Sequence, residues 1–416
     1  LVLINGRRIS PAGTRGQLGS PDLNTIPESM IDRIEILKDG GSSIYGSDAV
    51  AGVVNFITKQ NYDGITLSGF TNMSFEGGGE IYQVNGTWGE TFDRGHIMLA
   101  AEYYRRDPLR IGDRDYFDCS QDRVRETGLG GLTSSVGVGG ILDIIDPATG
   151  ESKCFNILSG VADRLISGGR YVPDPTAVAG GGFVAGFPDL ATWKRVNHSF
   201  AQTGNNEAVW RASTAATPND DPRFLSTTLI APVERYSAFF QGAYDIIPGA
   251  EGYTELSFAR RESEQERWRQ LFPNVDGLNP NNQVATGGFG QLARSIVLVP
   301  TDGQQTVDYY RAVLGLRGDF ADSFPIFGGW SYDIYGQHIR SEADYTNDII
   351  YNDRVLATTG ALACNQAAIT ISGGNCASVP GGIRWFDDLV VTKGWDGGFT
   401  QAEKDFLFTK ETGHTT

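Results

Sequence analysis

The chain has 416 residues, with 34 Lys plus Arg against 50 Asp plus Glu, a net charge of −16. Such an acid excess argues against a protein that grips nucleic-acid backbone, which requires a positive patch. The 54 glycines and 11% aromatic content suit turns and strands better than a helical enzyme. No apolar run approaches the roughly 18 to 20 residues of a membrane helix, so any membrane-spanning form must be a β-barrel.

The chain opens on the apolar run Leu1-Val-Leu-Ile4, followed by Asn5-Gly6, the strongest two-residue signal for a tight hairpin, with Arg7-Arg8-Ile9 as the return strand. Ser10 to Pro21 is rich in Gly, Ser and Pro and reads as a loop. Thr25-Ile-Pro-Glu28 fits a capping box with proline in the first turn, which predicts a short helix through Met30. Arg33, Ile34, Glu35 and Ile36 alternate charged and apolar, the period of a half-buried strand. Asp39-Gly40-Gly41 breaks that strand, Ser42 to Tyr45 makes a helical turn ended by Gly46, and Val53 to Ile57 forms a further strand. The sum is a small mixed α/β unit with very short connections.

The order of these pieces carries more than their composition. Ile-Pro, then Arg33-Ile-Glu35 within a strand, then Ser43-Ile-Tyr-Gly-Ser-Asp-Ala49, then Gly52-Val-Val-Asn-Phe-Ile-Thr58 resembles the plug signature of TonB-dependent outer-membrane receptors. The resemblance covers residues 1–59, and a plug domain is expected over residues 1–62. The chain starts inside a strand without Met or a leader, so it reads as an internal piece of a longer receptor, holding the C-terminal part of the plug.

From Ile65 onward the pattern turns into hairpins. Ile65 to Met73, Ile81 to Trp88 and Gly95 to Tyr104 are strand-like. Tyr82, Val84, Gly86 and Trp88 share one face while Gln83, Asn85 and Thr87 share the other. Ile97, Leu99, Ala101 and Tyr103 likewise oppose Met98, Ala100 and Glu102. The same alternation returns from Tyr236 to Tyr244, from Tyr310 to Arg317 and from Trp330 to Gln337. Apolar-out and polar-in strands of about ten residues are what a transmembrane barrel needs.

Connections of two lengths take turns. Residues 89–94, 247–252 and 321–329 are short, whereas 107–232, 267–305 and 346–401 are long. This is the asymmetry of outer-membrane barrels, with short periplasmic turns and long extracellular loops. The expected fold is mainly β: about eight strands of a transmembrane antiparallel β-barrel over residues 63–416, preceded by the plug. Barrels that hold a plug use about 22 strands, so this would be the N-terminal portion of one.

Cys119, Cys154, Cys364 and Cys376 allow three pairings in principle, and the nearest-neighbour pairs Cys119–Cys154 and Cys364–Cys376 each fall within one long loop. Disulfides in an oxidising compartment are the better reading, because no Cys-x-x-Cys occurs and the four histidines are scattered. No metal or cofactor is expected. Ser, His and Asp are present without any link into a nucleophilic triad, so no enzyme is expected either.

The resemblance implies an outer-membrane receptor that captures a scarce solute, of the siderophore, cobalamin or glycan class. Extracellular and apical plug loops would hold the solute. TonB and its inner-membrane energy-coupling complex would then rearrange the plug, through a TonB box placed before Leu1. Outer-membrane lipid would surround the barrel. The loop Ser10 to Ser20 takes the position of the apical loop, which makes Arg15 and Gln17 candidates for solute contact and Tyr45 a further one. Arg33 and Glu35 are candidates for breakable pairs with lumen charges such as Glu102, Arg311 or Arg317. A passive porin or adhesin would share the strands and loops but lack the plug signature. A secreted β-rich glycan-binding protein or hydrolase would explain acidic, aromatic-bearing loops, and as a hydrolase would need two carboxylates at defined separation.

Overall fold

The computed structural model describes residues 1–13, 21–114, 161–164, 169–173, 193–197, 222–282, 293–320, 329–387, 390, 393 and 395–416. The N-terminal unit is a four-stranded sheet in the order β2-β1-β4-β3, built from β1 (Val2–Ile4), β2 (Arg7–Arg8), β3 (Ile31–Leu37) and β4 (Val53–Thr58). Asn5 and Gly6 both take positive φ, 49° and 77°, the backbone that a two-residue hairpin between twisted strands requires. β1 also runs parallel to β4, pairing Leu3 with Asn55.

Two expectations for this unit are corrected. The turn at Leu23–Thr25 is capped by Asp22, whose side chain accepts from the Asn24 amide, and Thr25 instead donates to the Asp22 carbonyl. Pro27 separates it from a second short turn, Glu28–Met30, because a proline ring holds the preceding residue extended. β3 is exposed along both faces rather than half-buried, since β4 is its only partner among the described residues.

The second sheet has eight antiparallel strands in the order β20-β19-β18-β14-β13-β7-β6-β5. They are β5 (Gly64–Asn72), β6 (Ile81–Phe92), β7 (Gly95–Arg106), β13 (Val233–Ile247), β14 (Ala250–Gln265), β18 (Gly303–Asp319), β19 (Ser331–Ile350) and β20 (Phe408–Thr415). Chain neighbours within this set are neighbours in space, as in an up-and-down barrel wall. The turns at one end are shorter than expected: β6 runs to Phe92 and β13 to Ile247, leaving two residues in each turn, Asp93–Arg94 and Pro248–Gly249. Burial follows period two in the central strands. Leu67, Val84, Leu99, Leu256, Leu314 and Ile334 are exposed on one face, while Thr87, Glu102, Arg235, Gln241, Glu255 and Arg311 are buried on the other.

The long connections carry structure that composition did not reveal. β8 (Leu109–Arg110) pairs with β12 (Thr228–Ile230). A third sheet joins β9 (Val161–Arg164), β10 (Gly169–Pro173), β11 (Trp193–Asn197), β15 (Trp268–Leu271), β16 (Asn274–Val275) and β17 (Ala293–Pro300). Against β15–β17 packs an apolar core in which Ile383, Trp385 and Phe386 are fully buried beside Phe399, Phe406 and Phe408. Cys364 and Cys376 are joined as a disulfide within this unit, with Cα atoms 5.7 Å apart. Cys119 and Cys154 lie outside the described residues.

Candidate functional site

The buried face of the eight-stranded sheet meets the N-terminal unit, and an apolar seam binds them. Ile4, Ile9, Ile26, Met30 and Phe56 pack on Met98, Ala100 and Phe239, which project inward from β7 and β13. Each of the Ile, Met and Phe side chains contributes about 1.5 to 3 kcal/mol when fully buried, so the seam alone would hold the unit firmly. Polar clusters interrupt it, so the interface is not a plain hydrophobic core.

The first cluster centres on Glu255. Its Oε1 accepts from Arg7 Nη1 at 2.9 Å and from Asn5 Nδ2 at 2.8 Å, while Arg311 Nη1 lies 2.8 Å from Oε2, off the hydrogen-bonding direction. Arg7 Nη2 also donates to Tyr253 Oη at 2.6 Å and to Asp333 Oδ2 at 3.1 Å. The guanidinium is held between two rings, 4.8 Å from the Tyr253 centroid and 4.7 Å from that of Tyr335. Arg7, Glu255 and Arg311 are 6%, 5% and 2% exposed, so none of these charges could stay buried alone. Two cations and two anions balance.

Strand parity assembles this cluster. Tyr253 and Glu255 are two apart on β14, and on β18 the residue opposite Tyr253 is Gly315. A Cβ at Gly315 would strike the Tyr253 ring, so glycine there lets the phenol lie flat and reach Arg7. Tyr253 in turn donates to Asp333 Oδ1 at 2.5 Å.

The second cluster centres on Glu102, buried on β7. Arg235 Nη2 donates to its Oε1, and the Glu28 amide of the N-terminal unit donates to Oε2 at 3.1 Å. Arg235 Nη1 donates to Asn24 Oδ1 at 3.0 Å and its guanidinium stacks 4.7 Å from the Tyr104 centroid. Nearby, Asp22 pairs with Arg261 at 3.0 Å. Between the clusters Thr58 donates to Gln241 Oε1 at 2.8 Å, Gln241 donates to the Lys59 carbonyl, and Thr87 donates to the Ser29 carbonyl at 3.2 Å.

The sheet keeps a charge balance of its own. Glu255 has Arg311 and Glu102 has Arg235, so each buried carboxylate retains a cation if the N-terminal unit leaves. A buried ion pair broken by loss of one partner costs about 3 to 5 kcal/mol. Neutral pairs left behind avoid that cost.

The sequence-predicted residues fall differently. Arg33 pairs with Glu35 at 2.9 Å and with Asp32 at 3.1 Å, all about half exposed on β3. The lumen charges named for them are engaged elsewhere: Glu102 with Arg235, Arg311 with Glu255, and Arg317 with Glu251. Carboxylates one and two residues away reach Arg33 without any long-range contact, which corrects the expected pairing. Tyr45 packs beside Leu3, Ala49 and Val53, and its carbonyl accepts from Arg8. Arg15 and Gln17 lie outside the described residues. Arg7 and Glu255 were missed, although a signal existed. Tyr253, Glu255 and Ser257 share the face that the alternation assigns inward, which marks Glu255 as a lumen charge needing a cation.

Comparison with known proteins follows the same division of the chain. Residues 1–53 match the family model of the TonB-dependent Receptor Plug Domain, so the N-terminal unit is a plug domain of that kind. Among solved structures, the chain overlaps a mutant ferric enterobactin receptor, PfeA, from Pseudomonas aeruginosa in complex with enterobactin. That overlap has 12% identity and a TM-score of 0.26, over 83% of this chain and 47% of that one. It also overlaps the siderophore receptor PiuA from Acinetobacter baumannii, with 10% identity and a TM-score of 0.31 over 84% and 39%. A third overlap is with the ferric-catecholate import receptor Fiu from E. coli K12, with 10% identity and a TM-score of 0.29 over 84% and 43%. This chain spans less than half the length of each. The plug-domain match concerns residues 1–53 alone.

Proposed function

With a TonB-dependent receptor plug seated against an antiparallel sheet, we propose that this chain belongs to an outer-membrane receptor that imports a scarce solute by TonB-driven movement of the plug, and that it catalyses no reaction. The observation that carries the reading is the contact itself: a plug-type domain held against the buried face of the eight-stranded antiparallel sheet by buried but self-neutralised ion pairs. Withdrawal of Arg7 leaves Glu255 paired with Arg311, and withdrawal of Glu28 leaves Glu102 paired with Arg235. TonB, powered by the inner-membrane complex, supplies the pull that separates plug from wall. Arg15 and Gln17 in the apical plug loop contact the solute, which is of the ferric siderophore class.

The outward face supports placement in the outer membrane. The rings of Tyr103 and Tyr236 pack at a tilt with centroids 5.1 Å apart, and those of Phe258 and Tyr310 at 5.3 Å, forming one aromatic belt. Phe92 and Tyr244, 6.3 Å apart, belong to a second near the short turns. From Tyr236 to Tyr244 the strand covers about 27 Å, or about 20 Å of height at the usual tilt, close to an apolar band of about 25 Å. No helix among the described residues is long and apolar enough to cross a membrane.

The test is accumulation of radiolabelled ferric siderophores, catecholate and hydroxamate, by cells carrying the intact receptor. Uptake of one class that disappears without TonB supports the reading. Accumulation indifferent to TonB would return it to a passive pore.

A further inference from the structure

The outward face of the sheet is not uniformly ridged by large side chains. Near the short turns Gly242 on β13 stands opposite Thr254 on β14, which stands opposite Leu314 on β18, which stands opposite Gly336 on β19. Apart from Leu314, this cross-strand row has small side chains, Gly242, Thr254 and Gly336, where the rows beside it carry Phe240 and Tyr244. A nearly all-apolar trough of about 670 Å³ results, closed at its turn end by Phe92 and Tyr244. A cation stands at that end. Arg94 occupies the β6–β7 turn, and its Nη2 donates to the carbonyls of Asp245 at 2.5 Å and Ile246 at 2.7 Å. Its guanidinium lies 5.1 Å from the Tyr244 centroid, it is exposed, and no carboxylate pairs with it among the described residues.

We infer that this trough with Arg94 is a resident phospholipid site: one acyl chain lies along the Gly242–Gly336 row and the headgroup phosphate meets the Arg94 guanidinium. The inference rests on the membrane reading above. Apolar surface gives the chain its burial, at about 25 cal/mol per Å². The guanidinium is fixed through Nη2, leaving Nη1 to donate a charge-assisted hydrogen bond to a phosphate oxygen. A free anion would use Arg94 but not the trough, and a neutral hydrocarbon would use the trough but not Arg94. An amphiphile with a phosphate headgroup uses both. Bulk lipid covers the whole belt, and here a nearly all-apolar recess meets a fixed cation.

The experiment reconstitutes the intact receptor in phosphatidylethanolamine and phosphatidylglycerol vesicles, extracts it in mild detergent and counts retained phospholipid by native mass spectrometry. Gly242→Phe fills the trough from an outward position, where a Cβ meets only ordinary contacts with Ile97 and Phe240. Arg94→Gln removes the cation on an exposed turn and keeps the measurement decisive if Gly242→Phe fails to insert. One retained phospholipid in wild type, reduced several-fold by either substitution, is the expected result. No retained lipid in wild type, or equal retention in all three proteins, overturns the site. Failure of the wild type to insert into vesicles would instead overturn the membrane reading.

Discussion

Arg7 Nη1 lies 2.9 Å from Glu255 Oε1, joining the plug hairpin to the wall across 248 residues of sequence. Glu255 faces a second guanidinium, Arg311, on its other oxygen. That arrangement makes the two ends of the contact unequal, and the inequality can be measured.

Glu255→Gln should be the more damaging change, because it leaves Arg7 and Arg311 buried side by side without their shared anion, at a cost of about 3 to 5 kcal/mol. Arg7→Gln leaves Glu255 with Arg311 and should cost about 1 to 3 kcal/mol, the range for a lost charged hydrogen bond. Urea unfolding, with hydrogen exchange over residues 1–9, reads both. Equal losses in the two variants would contradict the self-neutralised pair.

Gly315→Ala places a methyl group where the Tyr253 ring lies. The ring must tilt away from Arg7, at an overpacking cost of about 1 to 3 kcal/mol. Faster exchange in residues 1–9 of this variant, with the far end of β18 unchanged, is expected. Unchanged exchange there would show that Tyr253 does not position Arg7.

The unit from Tyr351 to Leu407 should loosen in acid. Burial pushes the Glu403 carboxyl up, but hydrogen bonds from Arg384 and the Thr400 backbone outweigh it and hold the group below its ordinary 4.5. The Asp353 carboxyl is held down by the backbone amides of Ser372 and Ile371, with burial opposing. Both folded values are depressed, so the stabilisation is complete above about pH 4.5 and is lost as pH falls through the lowered values. Tryptophan fluorescence, to which Trp385 and Trp395 of this unit contribute, should show a transition in that acid range. In Glu403→Gln the unit should be weaker at neutral pH and the transition shallower.

Reduction of Cys364–Cys376 should destabilise the same unit locally. The bond closes a loop with a sequence separation of 12, worth about 3 kcal/mol on the chain-entropy account. Hydrogen exchange should quicken between Cys364 and Cys376 and in the helix Asn352–Thr359. The plug should be unaffected, since Arg7 and Glu102 lie in separate contacts.

The sequence made some of this readable for physical reasons. Alternation in residues 82–88 and 97–103 separates outward Val84 and Leu99 from inward Thr87 and Glu102, because side chains in a strand alternate strictly. Asn5-Gly6 announces its hairpin because few residues tolerate two successive positive φ angles. The partner of Glu102 and Arg311 was not readable, since alternation assigns a face and not a cross-domain neighbour. Arg33 and Glu35 drew notice as charges in a plug strand, but nearby acids satisfy Arg33, whereas Arg7 reaches the wall. The core around Trp385 also escaped: its aromatics are spread through irregular chain with no period. One local signal was present, Thr400-Gln-Ala-Glu403, whose two ends cap the helix Gln401–Leu407 reciprocally.

Under the proposed function, solute passes only when the plug parts from the wall. Thr58 and Gln241 touch across that boundary at 2.8 Å. In the intact receptor, Thr58→Cys with Gln241→Cys can be joined by a short, reducible thiol cross-linker and the uptake of radiolabelled ferric siderophore measured before and after reduction. Uptake blocked while joined, restored on reduction and unaffected by the cross-linker in either single variant is the predicted result. Uptake that continues at the wild-type rate through the joined protein would show that the plug need not part from the wall.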